Sequence, residues 1–290
     1  MTTVGIEYLG VEFQIRQRQP AWFAFGVWKS GSTLLNQVLI YLAQRNDANW
    51  VSIPDDLFLR NIDFAGDYSS YVPERLIQPG NVYGGFRSFP RSLTALPTFR
   101  EGRKVLMVRD PRDALVSQYF SFAKSHYIPD GDEGEGPRRD LKRVRKALGT
   151  MSIDDFVIQQ AASMNEAMMS YRPILSDEQL LVLRYEDIIF NKSELLTILC
   201  DHFGWHVNDQ DRADILHHVD IRPGKEDASK FIRKVTPGDH IDKLKPETIE
   251  AVNRQVKEAM DTFAYSAIAP TPLRRAAVAK PRRRSASAAK

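Results

Sequence analysis

Four short apolar runs, each leading into a longer helical pattern, constrain this chain more than any other feature. They lie at residues 22–27, 82–86, 104–108 (KVLMV) and 180–184 (LLVLR). Runs of this length without polar alternation read as strands buried on both faces. Helical stretches between them supply the crossovers that parallel strands require. Helices are predicted over 32–44, from Pro111 onward, around SELLTILCDHF, and over 246–263 with Pro246 at the first position. The expected fold class is therefore α/β: a single domain over residues 1–265 with a central parallel sheet flanked by helices. The stretch 128–140 (IPDGDEGEGPRRD) reads as an exposed loop, 141–175 as mostly helical, and 222–245 as a charged segment of little periodicity.

The net charge of +3 conceals an asymmetry. After Asp261 there is no acidic residue, and seven Lys and Arg put +7 on the C-terminal end, leaving −4 for the remainder. A mildly acidic body argues against nucleic acid as a partner. Residues 266–290 form a basic tail rich in Ala, Ser and Pro, expected to be disordered, with at most a surface contact to an anionic partner. The single cysteine, Cys200, excludes an intrachain disulfide, and the six histidines are scattered without metal-ligand spacing. No stretch approaches the ~20 apolar residues of a membrane span, and the N-terminus lacks a signal-peptide core. A cytoplasmic location is expected. Oligomeric state is not legible.

The first apolar run passes straight into Lys29, Ser30, Gly31, Ser32 and Thr33, and then into a helix. A strand-to-helix turn presents successive backbone N–H groups, and the helix N-terminus adds partial positive charge. Gly31 allows close approach of an anion, Ser32 and Thr33 add hydroxyls, and Lys29 supplies a full charge. The order differs from the Walker A loop, in which lysine follows the second glycine. On this pentapeptide alone, a phosphate site and an ordinary capped helix stand equal. A second candidate anion site follows the run KVLMV: Arg109 at the strand end, and Ser117 two turns into the next helix.

The pentapeptide resembles the 5′-phosphosulfate loop P-K-S-G-T-T of the sulfotransferases that use 3′-phosphoadenosine 5′-phosphosulfate (PAPS). Trp28 stands for its proline and Ser32 for its first threonine. The string VLMVRDPRDALVSQYFSF is similar to that family's 3′-phosphate signature. Leu183–Asp187 resembles L-x-Y-E-D, and the stretch 231–240 resembles F-x-R-K-G-x-x-G-D-W, with Val235 for a glycine and His240 for the tryptophan. These four matches run in family order from Lys29 to His240.

The resemblance implies a P-loop-like sulfotransferase fold, PAPS as donor and PAP as product. It assigns cofactor binding to Lys29, Ser30, Gly31, Ser32, Thr33, Arg109, Ser117, Tyr185, Arg233 and Lys234, with Lys29 also assisting the leaving group. Leu34 stands where one branch has a tryptophan beneath the adenine.

The general base is where the pattern breaks. Phe86–Pro90 corresponds to K-T-H-L-P, with Ser88 in place of the catalytic histidine. Polysaccharide-modifying branches use a carboxylate between the phosphate-loop helix and the next strand, which nominates Asp56 and Asp55 here. A cap on a helix starting near Leu57 is their structural alternative. His126 is a further candidate, and Arg87 a residue to position an acidic acceptor. The expected acceptor is a small molecule or glycan, with carbohydrate or glycolipid favoured. A P-loop kinase and a non-catalytic PAP-binding protein are the alternatives.

Overall fold

The computed structural model describes residues 3–16, 20–62, 73–132, 135–230 and 232–266. A hairpin of β1 (Thr3–Tyr8) and β2 (Val11–Arg16) precedes five parallel strands, β3 (Trp22–Gly26), β4 (Asn49–Val51), β5 (Asn81–Phe86), β6 (Arg103–Val108) and β7 (Leu180–Arg184). The sheet order is β4-β5-β3-β6-β7. All four predicted runs are strands of this sheet, and β3 lies at its centre.

Every residue of β3 is buried, because helices cover both faces of the sheet. The pleat sends alternate side chains into two separate cores. Phe23 and Phe25 enter one, together with Leu106 and Val108 of β6. Ala24 and Trp22 enter the other, together with Val105 and Met107. The first core is strongly aromatic: Phe25 lies within ring-packing distance of Phe86, Phe89 and Tyr171.

After β3 the chain runs to the β4 edge through the helix Ser32–Arg45, returns to β5, and crosses β3 to reach β6. The loops that follow β3 and β6 therefore leave neighbouring strand ends in diverging directions, and a crevice opens between them.

Four local expectations need correction. The stretch 128–140 is not loop throughout, because the amphipathic helix Gly136–Leu148 begins inside it, with Pro137 in its first turn. The last predicted helix breaks at Val256 into Pro246–Gln255 and Lys257–Thr262. The segment 222–245 contains a short helix, Asp239–Lys243. The helix expected near Leu57 starts at Ile53, with Pro54 in its first turn, so Asp55 and Asp56 lie within it and neither caps it.

Phe64, Tyr68, Tyr71 and Phe231, together with the tail from residue 267, lie outside the described residues. Among those described, no helix is long and apolar enough to cross a membrane.

Candidate active site

Two residues of the first loop have positive φ, Lys29 at 61° and Gly31 at 90°. Gly31 leaves no alternative: a Cβ there would meet the Tyr185 ring at 2.6 Å in a conformation that side chains disfavour. Ser30 is buried and braces the turn from within, its Oγ donating to the Val27 carbonyl at 2.8 Å. Backbone N–H groups at the start of the following helix have no intrahelical acceptor, as at any helix start.

Arg109, at the end of β6, reaches across to this loop. Its Nη1 donates to the Lys29 carbonyl at 3.4 Å. The guanidinium lies over the Tyr185 ring, 4.5 Å from the centroid, with its Nη2 3.9 Å from Asp113. Its Nε is buried with no hydrogen-bond partner among the described residues. A buried donor of that kind, in a wall built from loop N–H groups, is chemically suited to an anion.

Both clusters line one cavity of about 460 Å³. Lys29, Gly31, Ser32, Thr33, Arg109, Ser117, Tyr185, Arg233 and Lys234 all reach it. Of the cofactor residues implied by the resemblance, Ser30 alone is absent from the lining, consistent with its bracing role.

Arg233 and Lys234 are already engaged. Arg233 bonds to Glu226 and Asp239 and lies over the Phe120 ring at 4.3 Å; Lys234 Nζ donates to Asp239 at 2.9 Å. These ion pairs hold the charges at the cavity wall, and an incoming anion would share them with the carboxylates.

Asp113 secures the same segment from beneath. It accepts hydrogen bonds from Gly238 N–H at 2.6 Å, His240 N–H at 3.0 Å and His240 Nδ1 at 2.7 Å. Burial alone would raise its carboxyl. The His240 hydrogen bond and the Arg109 charge outweigh that and hold it well below the carboxylate range. Asp113 is therefore more than a partner for the helix dipole, and the histidine that stands for the family's tryptophan is a hydrogen-bonded anchor.

Lys29 sits among like charges. Burial, then the charges of Arg109, Arg87 and Arg233, lower its pKa to about 8. Its Nζ donates to Ser121 Oγ at 3.2 Å, and that hydroxyl lies 3.4 Å from His126 Nδ1. Ser121 and His126 come together because the helix Pro111–Phe120 ends in a wide π-helical turn, Ser121–Ser125. Burial and the charges of Lys29, Arg145 and Arg87 lower the His126 pKa to about 4, so the ring is neutral at physiological pH.

Asp55 lines the same cavity, whereas Asp56 is not among the lining residues. Asp55 accepts from Ser52 Oγ at 2.8 Å and pairs with Arg87 Nη2 at 3.4 Å. Gly85 (φ 83°) makes room for it, since a Cβ there would meet Ser52 Oγ at 2.2 Å and Asp55 Oδ2 at 2.9 Å. Asp56, outside the cavity, has its pKa raised by burial and by Asp55.

Ser121, Asp113 and Gly85 escaped the sequence reading. Ser121 meets Lys29, Asp113 meets His240, and Gly85 faces Ser52 and Asp55, all distant along the chain, and no local pattern announces such pairings.

A family model described as "Sulfotransferase domain" matches residues 20–264. The chain belongs to the sulfotransferase family. A guinea-pig (Cavia porcellus) protein named 3-alpha-hydroxysteroid sulfotransferase is 23% identical over 248 residues, covering 80% of each chain. The fold matches that of a mouse sulfotransferase, SULT7A1, solved with PAP, at a TM-score of 0.57 and 16% identity, covering 89% of this chain and 95% of the other. The protein is a PAPS-dependent sulfotransferase, with the single α/β domain and central parallel sheet of that family.

Proposed function

We propose that this enzyme sulfates a hydroxyl on an acceptor with a broad apolar face, using Lys29 to neutralise the leaving phosphate and Asp55 to take the acceptor proton. The observation that carries the proposal is the meeting of Lys29 and Arg109 on one cavity that Asp55 and aromatic side chains also line. PAPS supplies the sulfuryl group. The residues that would hold it are the loop from Lys29 to Thr33 at the 5′ end, and Arg109, Ser117, Arg233 and Lys234 at the 3′ end.

Adenine packing falls to aliphatic side chains. Leu34, Ile189, Val219, Ile221 and Val235 line the cavity near Tyr185, in the role another branch gives to a tryptophan. Val235 further accepts a hydrogen bond from Tyr185 Oη through its carbonyl at 3.2 Å, so the loop remains seated despite its missing glycine.

Asp55 is preferred to Asp56 as base because a proton acceptor must reach the substrate. Ser52 and Arg87 orient its carboxylate, and Lys29 stabilises charge where it develops on the leaving group. His126 joins the two sides: through Ser121 it orients the Lys29 ammonium, and it adds a neutral face to the acceptor wall.

The acceptor wall is formed by Trp28, Pro54, Phe58 and His126, whose ring packs beside both Trp28 and Phe58. Such a wall suits a glycolipid, the C–H face of a sugar ring, or a hydroxysteroid of the kind named in the guinea-pig relative. A cytoplasmic setting is part of the same proposal, since the single thiol is buried and requires no oxidising compartment.

The test is calorimetric titration with PAP and with ATP plus magnesium, followed by sulfate transfer from labelled PAPS to a panel of glycolipids, sugars and hydroxysteroids. PAP is expected to bind in preference to ATP, with transfer to at least one acceptor bearing an apolar face. Preferential ATP binding would overturn the nucleotide assignment, and transfer confined to fully polar sugars would overturn the acceptor class.

A further inference from the structure

Arg87 follows β5 and lines two cavities at once. One is the active-site cavity. The other, of about 350 Å³, is walled by Gln118, Gln160, Ser163, Glu166 and Ser170, and the two share Trp28, Arg87 and Ser88. The guanidinium is used on one side only. Nη2 pairs with Asp55 Oδ1 at 3.4 Å, whereas Nη1 is buried with no hydrogen-bond partner among the described residues. A buried guanidinium N–H lacking an acceptor is unfavourable in the free protein, and the deficit is relieved by whatever brings an oxygen to it.

We infer that Arg87 selects the acceptor, its Nη1 binding a carboxylate that the acceptor carries on the same ring-sized unit as the hydroxyl to be sulfated. This rests on the proposed function above, because Asp55 is the base in that reading.

The argument for a carboxylate is geometric and electrostatic. The guanidinium is a planar fork whose ends accept separate oxygens, and carboxylate is its best-matched partner. Around it lie Lys29, cationic, and His126, a neutral ring, and both feel the Arg87 charge. Asp55 is the nearest carboxylate and is committed to Nη2. Glu166, on the helix Ile153–Met169, faces the neighbouring cavity.

One fork holding both the base and the acceptor's anion also sets a distance. The hydroxyl must lie beside Asp55 while the carboxylate lies at Nη1, so the two groups are separated by about one ring. A hydroxybenzoate has this shape, and so does a uronic acid. A neutral alcohol would leave Nη1 unpaired and be bound less well.

The experiment uses the full chain saturated with PAP and reads acceptor binding by calorimetry. Two pairs of probes separate the sources: para-hydroxybenzoate against its methyl ester, and phenyl glucuronide against its methyl ester. The expected result is at least tenfold tighter binding of one acid than of its ester by the wild type. That preference should vanish in Arg87→Gln and survive only in part in Arg87→Lys, which keeps the charge and loses the fork.

PAP titration of each variant certifies folding. Equal binding of acid and ester, a preference that persists in Arg87→Gln, or no binding of either acid would overturn the inference while leaving the nucleotide reading intact. Failure of PAP to bind the wild type would instead overturn the nucleotide reading, and this inference with it.

Discussion

The proposed nucleotide and acceptor ends of the cavity are built on different principles. At the nucleotide end, charges come pre-paired and backbone geometry is fixed by glycine: Arg109 over Tyr185, Arg233 and Lys234 on Asp239, and Gly31 against the Tyr185 ring. At the acceptor end, aromatic walls surround a few sparsely paired groups, Asp55, Arg87 and His126. The first end must grip one invariant, highly charged molecule, so its donors are organised in advance. The second defines a particular substrate, and its residues depart from the family pattern.

That contrast can be broken by substitution, most sharply where the two ends meet. Lys29→Ala should lower kcat by about 10³-fold, the cost of losing a donor aimed at developing charge. Single-turnover transfer from labelled PAPS is the measurement, and a loss confined to PAP affinity would make Lys29 a binding group only. At the acceptor end, Asp55→Asn should lower kcat by about 10²-fold, as expected for a positioned base. Asp56→Asn should have little effect, and a reversed order, or a greater loss in His126→Asn, would reassign the base.

At the nucleotide end, Arg109→Gln should weaken PAP by about 30-fold, corresponding to about 2 kcal/mol for a buried charged donor. It should also reduce the preference for PAP over adenosine 5′-monophosphate; calorimetry with both ligands decides.

The pH dependence sharpens the same distinction. Lys29 has its folded pKa lowered to about 8 by burial and by neighbouring arginines, so it loses its charge as pH rises through that value. PAP affinity should therefore be greatest below pH 8 and fall by up to about tenfold per unit above it. Binding at pH 9 should take up a proton, visible as a buffer-dependent heat that Lys29→Met lacks. For fold stability the sign is opposite: a charged buried Lys29 is unfavourable, so its contribution improves between about pH 8 and the ordinary lysine value.

Smallest of all, Lys234→Ala should weaken PAP by about threefold, because a half-exposed ammonium shared between two carboxylates contributes little.

The fold was legible because β3, β5, β6 and β7 are buried runs followed by helices, a pattern that survives without tertiary information. Strand β4 is only three residues long and carries no periodicity. The β1–β2 hairpin left a readable trace: Val11, Phe13 and Ile15 alternate with polar residues after a Leu9–Gly10 turn with positive φ.

The nucleotide end was legible for a related reason. Its residues sit at strand ends and helix starts, where local sequence dictates geometry. The acceptor end was not. Whether Asp55 or Asp56 faces inward depends on where a seven-residue helix begins, since neighbours on a helix point about 100° apart. The environment of Arg87 depends on elements more than 30 residues away.

Asp113 ties together parts of the molecule that would otherwise move independently. Lifting the strap that ends at His240 would strand three donors and expose an anion whose other neighbour is Arg109. The carboxylate that fastens Gly238 and His240 is thus the one that also steadies Arg109. If Arg233 and Lys234 hold the nucleotide as proposed, its departure requires this tether to loosen, a step distinct from the chemistry.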